Sequence, residues 1–302
     1  MQESLGRVNA QARLGRAAAI ASLFLVSSLP LFSDVYFRAL ALATDFDLLS
    51  SSGAYPLAML LFLLIWLLVN RGEIAHALSK DASGFRTTWY SALGLTLLGA
   101  SLAGRALLKG PGLFALQLFL LLCFLQGCAS IAFPETSKIT LKAFAIYVAS
   151  ASIPFTASTF FDRPISLGFA GAVVPLLKAV GYPVERSAST ILLELPSGKV
   201  SSLVIDSACA GTASYGIFLL LDGLMALDLR AERRKAALFT LAGLATIFVL
   251  NLLRVAAIVH AVYNYGELAG HHVHLYLGYV LFTSFYLAYA LLFARSFGQR
   301  HP

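Results

Sequence analysis

Three residue types in the C-terminal third could do chemistry together. Cys209 ends the run Asp206-Ser207-Ala208-Cys209, which leads through Gly211 into an apolar segment long enough to enter a membrane. Arg254 stands inside a second apolar segment, with Asn251 three residues before it. His271, His272 and His274 open a third, "HHVHLYLGYVLF". A thiolate attacks an acyl carbon, a histidine moves protons, and a guanidinium stabilises the oxyanion that forms. Each residue also has a plainer reading. Cys209 beside Gly211 could be a small packing residue, Arg254 could snorkel to lipid headgroups, and the histidines could be surface loop or metal ligands. Zinc needs three or four convergent ligands and the chain has no HExxH. We expect no metal and no cofactor.

The elements that position these residues follow from composition. The chain has 302 residues, 59% of them hydrophobic and 12% charged, against about 25% charged in soluble domains. It reads as an integral membrane protein. A crossing helix needs about 20 mostly apolar residues, which places eight expected spans at about 17–33, 53–70, 88–108, 111–133, 140–160, 210–228, 237–259 and 274–294. Pro30 interrupts the first, and "SLPLFSDVY" offers no small-residue cleavage site, so it counts as a span and not as a signal peptide.

The net charge of +7 is a topology signal and not a nucleic-acid signature. With the N-terminus in the cytoplasm, 14 of the 22 Lys and Arg fall on inner segments, seven on outer ones, and Arg254 within a span. That bias fits the positive-inside rule with both termini cytoplasmic.

On this topology Cys209 marks the outer N-terminus of the sixth span. The positive end of a helix there is expected to lower the thiol pKa. Arg254 lies 17 residues beyond Ala237, about 26 Å along the seventh span at 1.5 Å per residue, again near the outer boundary. Asn251 shares its helix face as an orienting partner. His274 opens the eighth span at the same depth, with His271 and His272 expected in the loop before it. Cysteine, arginine and histidine thus converge from three consecutive helices.

Between the fifth and sixth spans lies an outer segment. Its apolar middle, about 165–180, contains Gly168, Gly171 and Pro175 and reads as a short amphipathic helix. Two β-branched runs then flank Pro196-Ser197-Gly198-Lys199, the pattern of a β-hairpin. The expected fold is an all-α polytopic membrane protein with this helix and hairpin before the sixth span. Three regions follow: an N-terminal membrane region over 1–160, an extracytoplasmic segment over 161–208, and a membrane region carrying the chemistry over 209–302. Cys123 and Cys128, five apart in the fourth span, read as packing residues.

At the residues singled out, the chain resembles the exosortase/archaeosortase family of membrane-embedded, sortase-like cysteine transpeptidases. The likeness rests on "SACAGTASYG" after the strand-turn-strand "TILLELPSGKVSSLVI", on "NLLRVAAI", and on "HLYLGYVLF". It covers about 183–282. The resemblance implies Cys209 as nucleophile, Arg254 as oxyanion-stabilising cation and His274 as general acid/base, with Asn251 and Gly211 in support. Ala210 stands where the family more often has serine. The family cleaves C-terminal, PEP-CTERM-like sorting signals built from a short motif, a transmembrane helix and a basic tail. The implied partners are such exported proteins, membrane lipids and a lipid or glycan acceptor. The implied location is a prokaryotic inner membrane, with the site facing outward.

A different class of function stays open. Asp222, 13 residues into the sixth span, is the kind of intramembrane acid that marks an ion route, so a transporter or channel is the alternative. A non-catalytic assembly subunit is a third reading.

Overall fold

Long apolar runs with few interior glycines and prolines fold as helices, since in a bilayer every backbone polar group must be paired within its own segment. The computed structural model describes residues 2–44, 55–81, 88–108 and 113–298. It divides into two compact units, Met1–Val148 and Ala149–Pro302.

The first unit holds α1 (Gln2–Leu31), α2 (Ser33–Thr44), α3 (Tyr55–Val69), α4 (Arg71–Asp81), α5 (Trp89–Leu107), α6 (Phe114–Ala132) and the start of α7 (Pro134–Phe160). Phe32, Val35 and Leu42 pack with Phe114, Leu118, Leu121 and Phe124 in its core. Helices α5 and α6 approach backbone to backbone. A β-carbon on Gly94 would lie 2.7 Å from the Gly127 carbonyl, and one on Gly127 would lie 2.9 Å from the Gly94 carbonyl. Small residues allow such contacts between membrane helices. The Asp81 carboxylate accepts hydrogen bonds from the amides of Glu135 and Thr136 at 2.7 and 2.9 Å. It thereby satisfies free N–H groups at the start of α7. Cys123 and Cys128 are buried on α6.

The second unit continues with α8 (Asp162–Ala179), β1 (Val184–Ser187), β2 (Thr190–Glu194), β3 (Val200–Val204), α9 (Thr212–Asp228), α10 (Arg233–Tyr265) and α11 (Glu267–Phe297). The amphipathic helix and the hairpin stand where the sequence puts them. In the hairpin Thr190 pairs with Val204 and Glu194 with Val200, around a turn in which Gly198 takes φ 77°. The sequence reading misses β1, which pairs antiparallel with β2 from Val184↔Leu193 to Ser187↔Thr190. Alternation on β2 buries Ile191 and Leu193 against Phe169, Val173 and Leu177 of α8 and Val255, Ile258 and Val259 of α10. A helix and a small sheet thus cover one end of α10.

A second cluster joins α9, α10 and α11 through Phe218, Ile247, Phe282, Tyr286, Tyr289 and Phe293. Gly243 makes room for it, because a β-carbon there would fall 2.1 Å from the Phe218 ring.

The expected count of eight spans is not reproduced by length and composition. Among the described residues four helices, α6, α7, α10 and α11, are long and apolar enough to cross a membrane. Two bent pairs raise the number to six: Ala17–Leu31 with Ser33–Thr44, bent by 91°, and α3 with α4, bent by 71°. Helix α5 is diluted by serine, threonine and glycine. Helix α9 has 17 residues, about 26 Å of rise against a hydrocarbon core of about 30 Å.

Candidate active site

Cys209 lies in the turn between β3 and α9, and that turn is built residue by residue. Ile205 is buried, and its amide donates to the Ser189 carbonyl at 3.0 Å. The Asp206 carboxylate accepts the Cys209 amide at 2.7 Å. The Ser207 amide donates to the Asp162 carboxylate at 2.9 Å, tying the turn to the first residue of α8. Ala210 is buried in the core with Val255 and Ile258. Gly211 then takes φ 84°, ψ 25° as the cap of α9, a left-handed conformation that costs a side-chain-bearing residue about 1 kcal/mol or more.

Asn251 sits under that glycine. It is fully buried, and a β-carbon on Gly211 would fall 2.0 Å from its Nδ2. Its Nδ2 donates to the Ile247 carbonyl one turn back at 3.0 Å. No hydrogen bond joins Asn251 to Arg254 among the described residues. Asn251 faces the nucleophile turn: its Nδ2 is taken by the i−4 carbonyl, its Oδ1 is buried without a hydrogen-bond partner among the described residues, and Gly211 lies against its carboxamide.

Arg254 extends toward α11. Its Nη2 donates to the His274 carbonyl at 3.3 Å. It lies over Gly278, where a β-carbon would approach Nε to 3.2 Å. Its Nε is buried and without a hydrogen-bond partner among the described residues. The Asp206 carboxylate acts on it electrostatically, and Cys209 and Tyr279 lie within the same reach. The unit thus gathers the Cys209 turn, Arg254 and the backbone of His274. The Cys209 thiol makes its hydrogen bond to the Val204 carbonyl, long at 3.9 Å, and none to His274 among the described residues.

Two expectations need correction. The thiol is not depressed. Burial pushes Cys209 up to about 11, contact with the Asp206 backbone opposes this, the Asp206 charge adds to it, and the Arg254 charge pulls it down. Desolvation of a half-buried thiolate outweighs the helix end because α9 begins only at Thr212, beyond the turn. The second concerns the histidines. Gly266 at φ 88° caps α11, which begins at Glu267, so His271 and His272 are helical and not in a loop. Both are exposed, whereas His274 is half-buried. The His272 ring stacks on Tyr276 at 6.2 Å.

Sequence reasoning passed over Asp206 and Asp162. Asp206 is an acid three residues before a cysteine, a spacing that suits an Asx turn, and it was a readable signal. Asp162 was not readable, because only the folded α8 brings it to Ser207. The hydroxyl of Ser207, and then its amide, hold the Asp162 carboxyl below its ordinary range. Asp222 is buried and bonded across the bundle. It accepts from Thr240 of α10 at 2.7 Å and from Tyr289 of α11 at 2.5 Å. Those bonds account for the acid without an ion route.

Neither a curated protein nor a solved structure matches this chain. A sequence model described as transmembrane exosortase matches residues 49–294, which takes in the Cys209 turn, Arg254 and His274 and most of the helices of both units. The chain belongs to the transmembrane exosortase family, the membrane-embedded sorting transpeptidases.

Proposed function

We propose that the chain is a cysteine transpeptidase/protease that cleaves C-terminal, PEP-CTERM-like sorting signals of exported proteins and passes the protein to an acceptor. Cys209 is the nucleophile, Arg254 the oxyanion-stabilising cation and His274 the general acid/base, with Gly211 and Asn251 holding the nucleophile turn. The observation that carries this reading is the reach of Arg254. It is bonded to the His274 carbonyl, and its Nε is buried and without a hydrogen-bond partner among the described residues.

The chemistry follows from the protonation of the thiol. At neutral pH Cys209 holds its proton, since its pKa is about 11. As sulfur attacks the scissile carbonyl carbon, the thiol proton passes to His274 and the carbonyl electrons move to oxygen. Arg254 Nε, a buried donor with no hydrogen-bond partner among the described residues, is available to that oxyanion. Collapse breaks the C–N bond, and His274 returns the proton to the departing amine. An amine or hydroxyl acceptor, or water, then attacks the thioester and frees the thiol. The substrate helix and its basic tail stay in the bilayer.

We assign residues 1–160 to a membrane region, 161–208 to an extracytoplasmic segment and 209–302 to the catalytic region. Both termini lie in the cytoplasm of a prokaryotic cell and Cys209 faces outward. Reporter fusions after Arg234 then read cytoplasmic and fusions near Lys199 external, and the opposite result at either point removes this orientation.

The test of the assignment is Arg254→Lys. Lysine keeps the charge but loses the planar fork. Processing of a tailed substrate should fall on the order of ~10²-fold, as on removal of one oxyanion donor. Near-normal processing would remove Arg254 from the chemistry.

A further inference from the structure

Asp206 holds the nucleophile turn twice. Its Oδ1 accepts the Cys209 amide at 2.7 Å, and its carbonyl accepts the Ala210 amide at 3.1 Å. The residue after it is tied to α8 through Asp162. A turn of this kind needs only an acceptor oxygen, which asparagine or serine also supplies. The charge is what calls for explanation. A carboxylate beside a nucleophile that must itself become negative disfavours the thiolate and opposes Arg254. This carboxylate is exposed, so a charge-free residue would sit there at no cost in burial.

We propose that Asp206 is the positioning residue of the nucleophile, clamping the backbone of Cys209 with a carboxylate that also places a negative charge on the turn beside the thiol. This deepens the proposed function and rests on the reading of Cys209 as nucleophile. Two consequences follow. The clamped amide is not free to donate to an oxyanion, a task that a nucleophile's own N–H performs in serine proteases. That leaves the task to Arg254. The charge also adds to the burial that keeps the resting thiol in its protonated form, so the thiolate arises only with proton transfer to His274 when a substrate is present. A protonated thiol resists oxidation and stray acylation at an exposed turn.

The groups that act on the thiol come from each element around it. Asp206 lies on its own turn and Arg254 comes from α10, while Tyr279 and the His274 carbonyl of α11 face Arg254 rather than the thiol. Asp162 of α8 reaches the same turn through Ser207. Of the two acids, Asp206 alone acts directly on the thiol.

The test separates clamp from charge. Asp206→Asn keeps a side-chain oxygen for the Cys209 amide and removes the charge, whereas Asp206→Ala removes both. Alkylation of Cys209 by iodoacetamide is followed from about pH 6 to 11 in the full chain in lipid nanodiscs, by mass spectrometry of the Cys209 peptide. Removing a neighbouring like charge should lower the midpoint of the alkylation profile by about one pH unit in Asp206→Asn. Below the midpoint the rate should rise about threefold, because the gain in thiolate is partly offset by its lower nucleophilicity. Asp206→Ala should show the same shift and lose more processing than Asp206→Asn. A purely structural Asp206 moves no midpoint, so an unchanged or raised midpoint in Asp206→Asn overturns the proposal. The nucleophile reading fails separately, if Cys209→Ala still processes substrate.

Discussion

Gly211 and Asn251 occupy each other's space. The side chain that any other residue would bring to 211 would overlap the buried carboxamide far inside van der Waals contact, 2.0 Å to Nδ2. The φ of 84° penalises that residue a second time. The turn that presents Cys209 therefore depends on a missing side chain on α9 and a short polar one on α10.

Gly211→Ala should cut processing at least about tenfold, since strain of 1–2 kcal/mol is joined by a clash. Asn251→Ala relieves the clash but not the backbone strain. The double variant should recover part of the loss, measured as processing per unit of folded protein. Full activity in Gly211→Ala would mean that the turn is free to shift.

The histidines divide by exposure and not by loop against helix. His274→Ala should abolish processing. His271→Ala and His272→Ala should leave most of it, because both rings are exposed and His272 is engaged with Tyr276. Loss of the reaction in His271→Ala alone would move the base by nearly one helical turn.

Asp222 is a structural acid. Asp222→Asn keeps one oxygen acceptor and should process substrate nearly normally. Asp222→Leu strands the hydroxyls of Thr240 and Tyr289 and should lower thermal stability by about 1–3 kcal/mol. Lost processing in Asp222→Asn at normal abundance would revive a proton path.

Asp162 links stability to pH. Its folded-state carboxyl lies below the ordinary range because of Ser207, so its contribution is present above the unfolded pKa of about 4 and is lost as pH falls through the folded value. Asp162→Asn should flatten the acid limb of thermal stability between about pH 5 and 2, as read by melting curves. An unchanged acid limb would contradict this link.

What was legible from sequence and what was not divide along a physical line. The hairpin was readable because its turn chemistry is local: Pro196 to Lys199 sits between β-branched runs, and Gly198 takes the positive φ. The helix of α8 was readable from its apolar face. Strand β1 was not, since "VERS" buries only Val184 and gains its order from pairing with β2. The bend at Phe32 escaped because hydropathy does not register direction. At the site, the three residue types and their separation along the chain were visible. The protonation of Cys209 was not, because it depends on how deeply the turn is packed and on where the Asp206 carboxylate falls. The facing of Asn251 was likewise hidden, since a shared helix face does not say which neighbour fills the space beside it. Gly266, with φ 88°, marks the start of α11 and is the local signal that places His271 and His272 on the helix.

The most direct test of the central claim is release of the C-terminal tail by purified protein carrying Cys209→Ala, set beside Cys209→Ser, Cys123→Ser and Cys128→Ser. A thioacyl mechanism requires the sulfur at 209, and a hydroxyl there is a far poorer nucleophile. Cys209→Ala and Cys209→Ser should bind the tailed substrate without cleaving it. The two α6 variants, whose thiols are buried in the first unit, should cleave it and lose stability at most. Tail release by purified Cys209→Ala at the parent rate would contradict the cysteine mechanism.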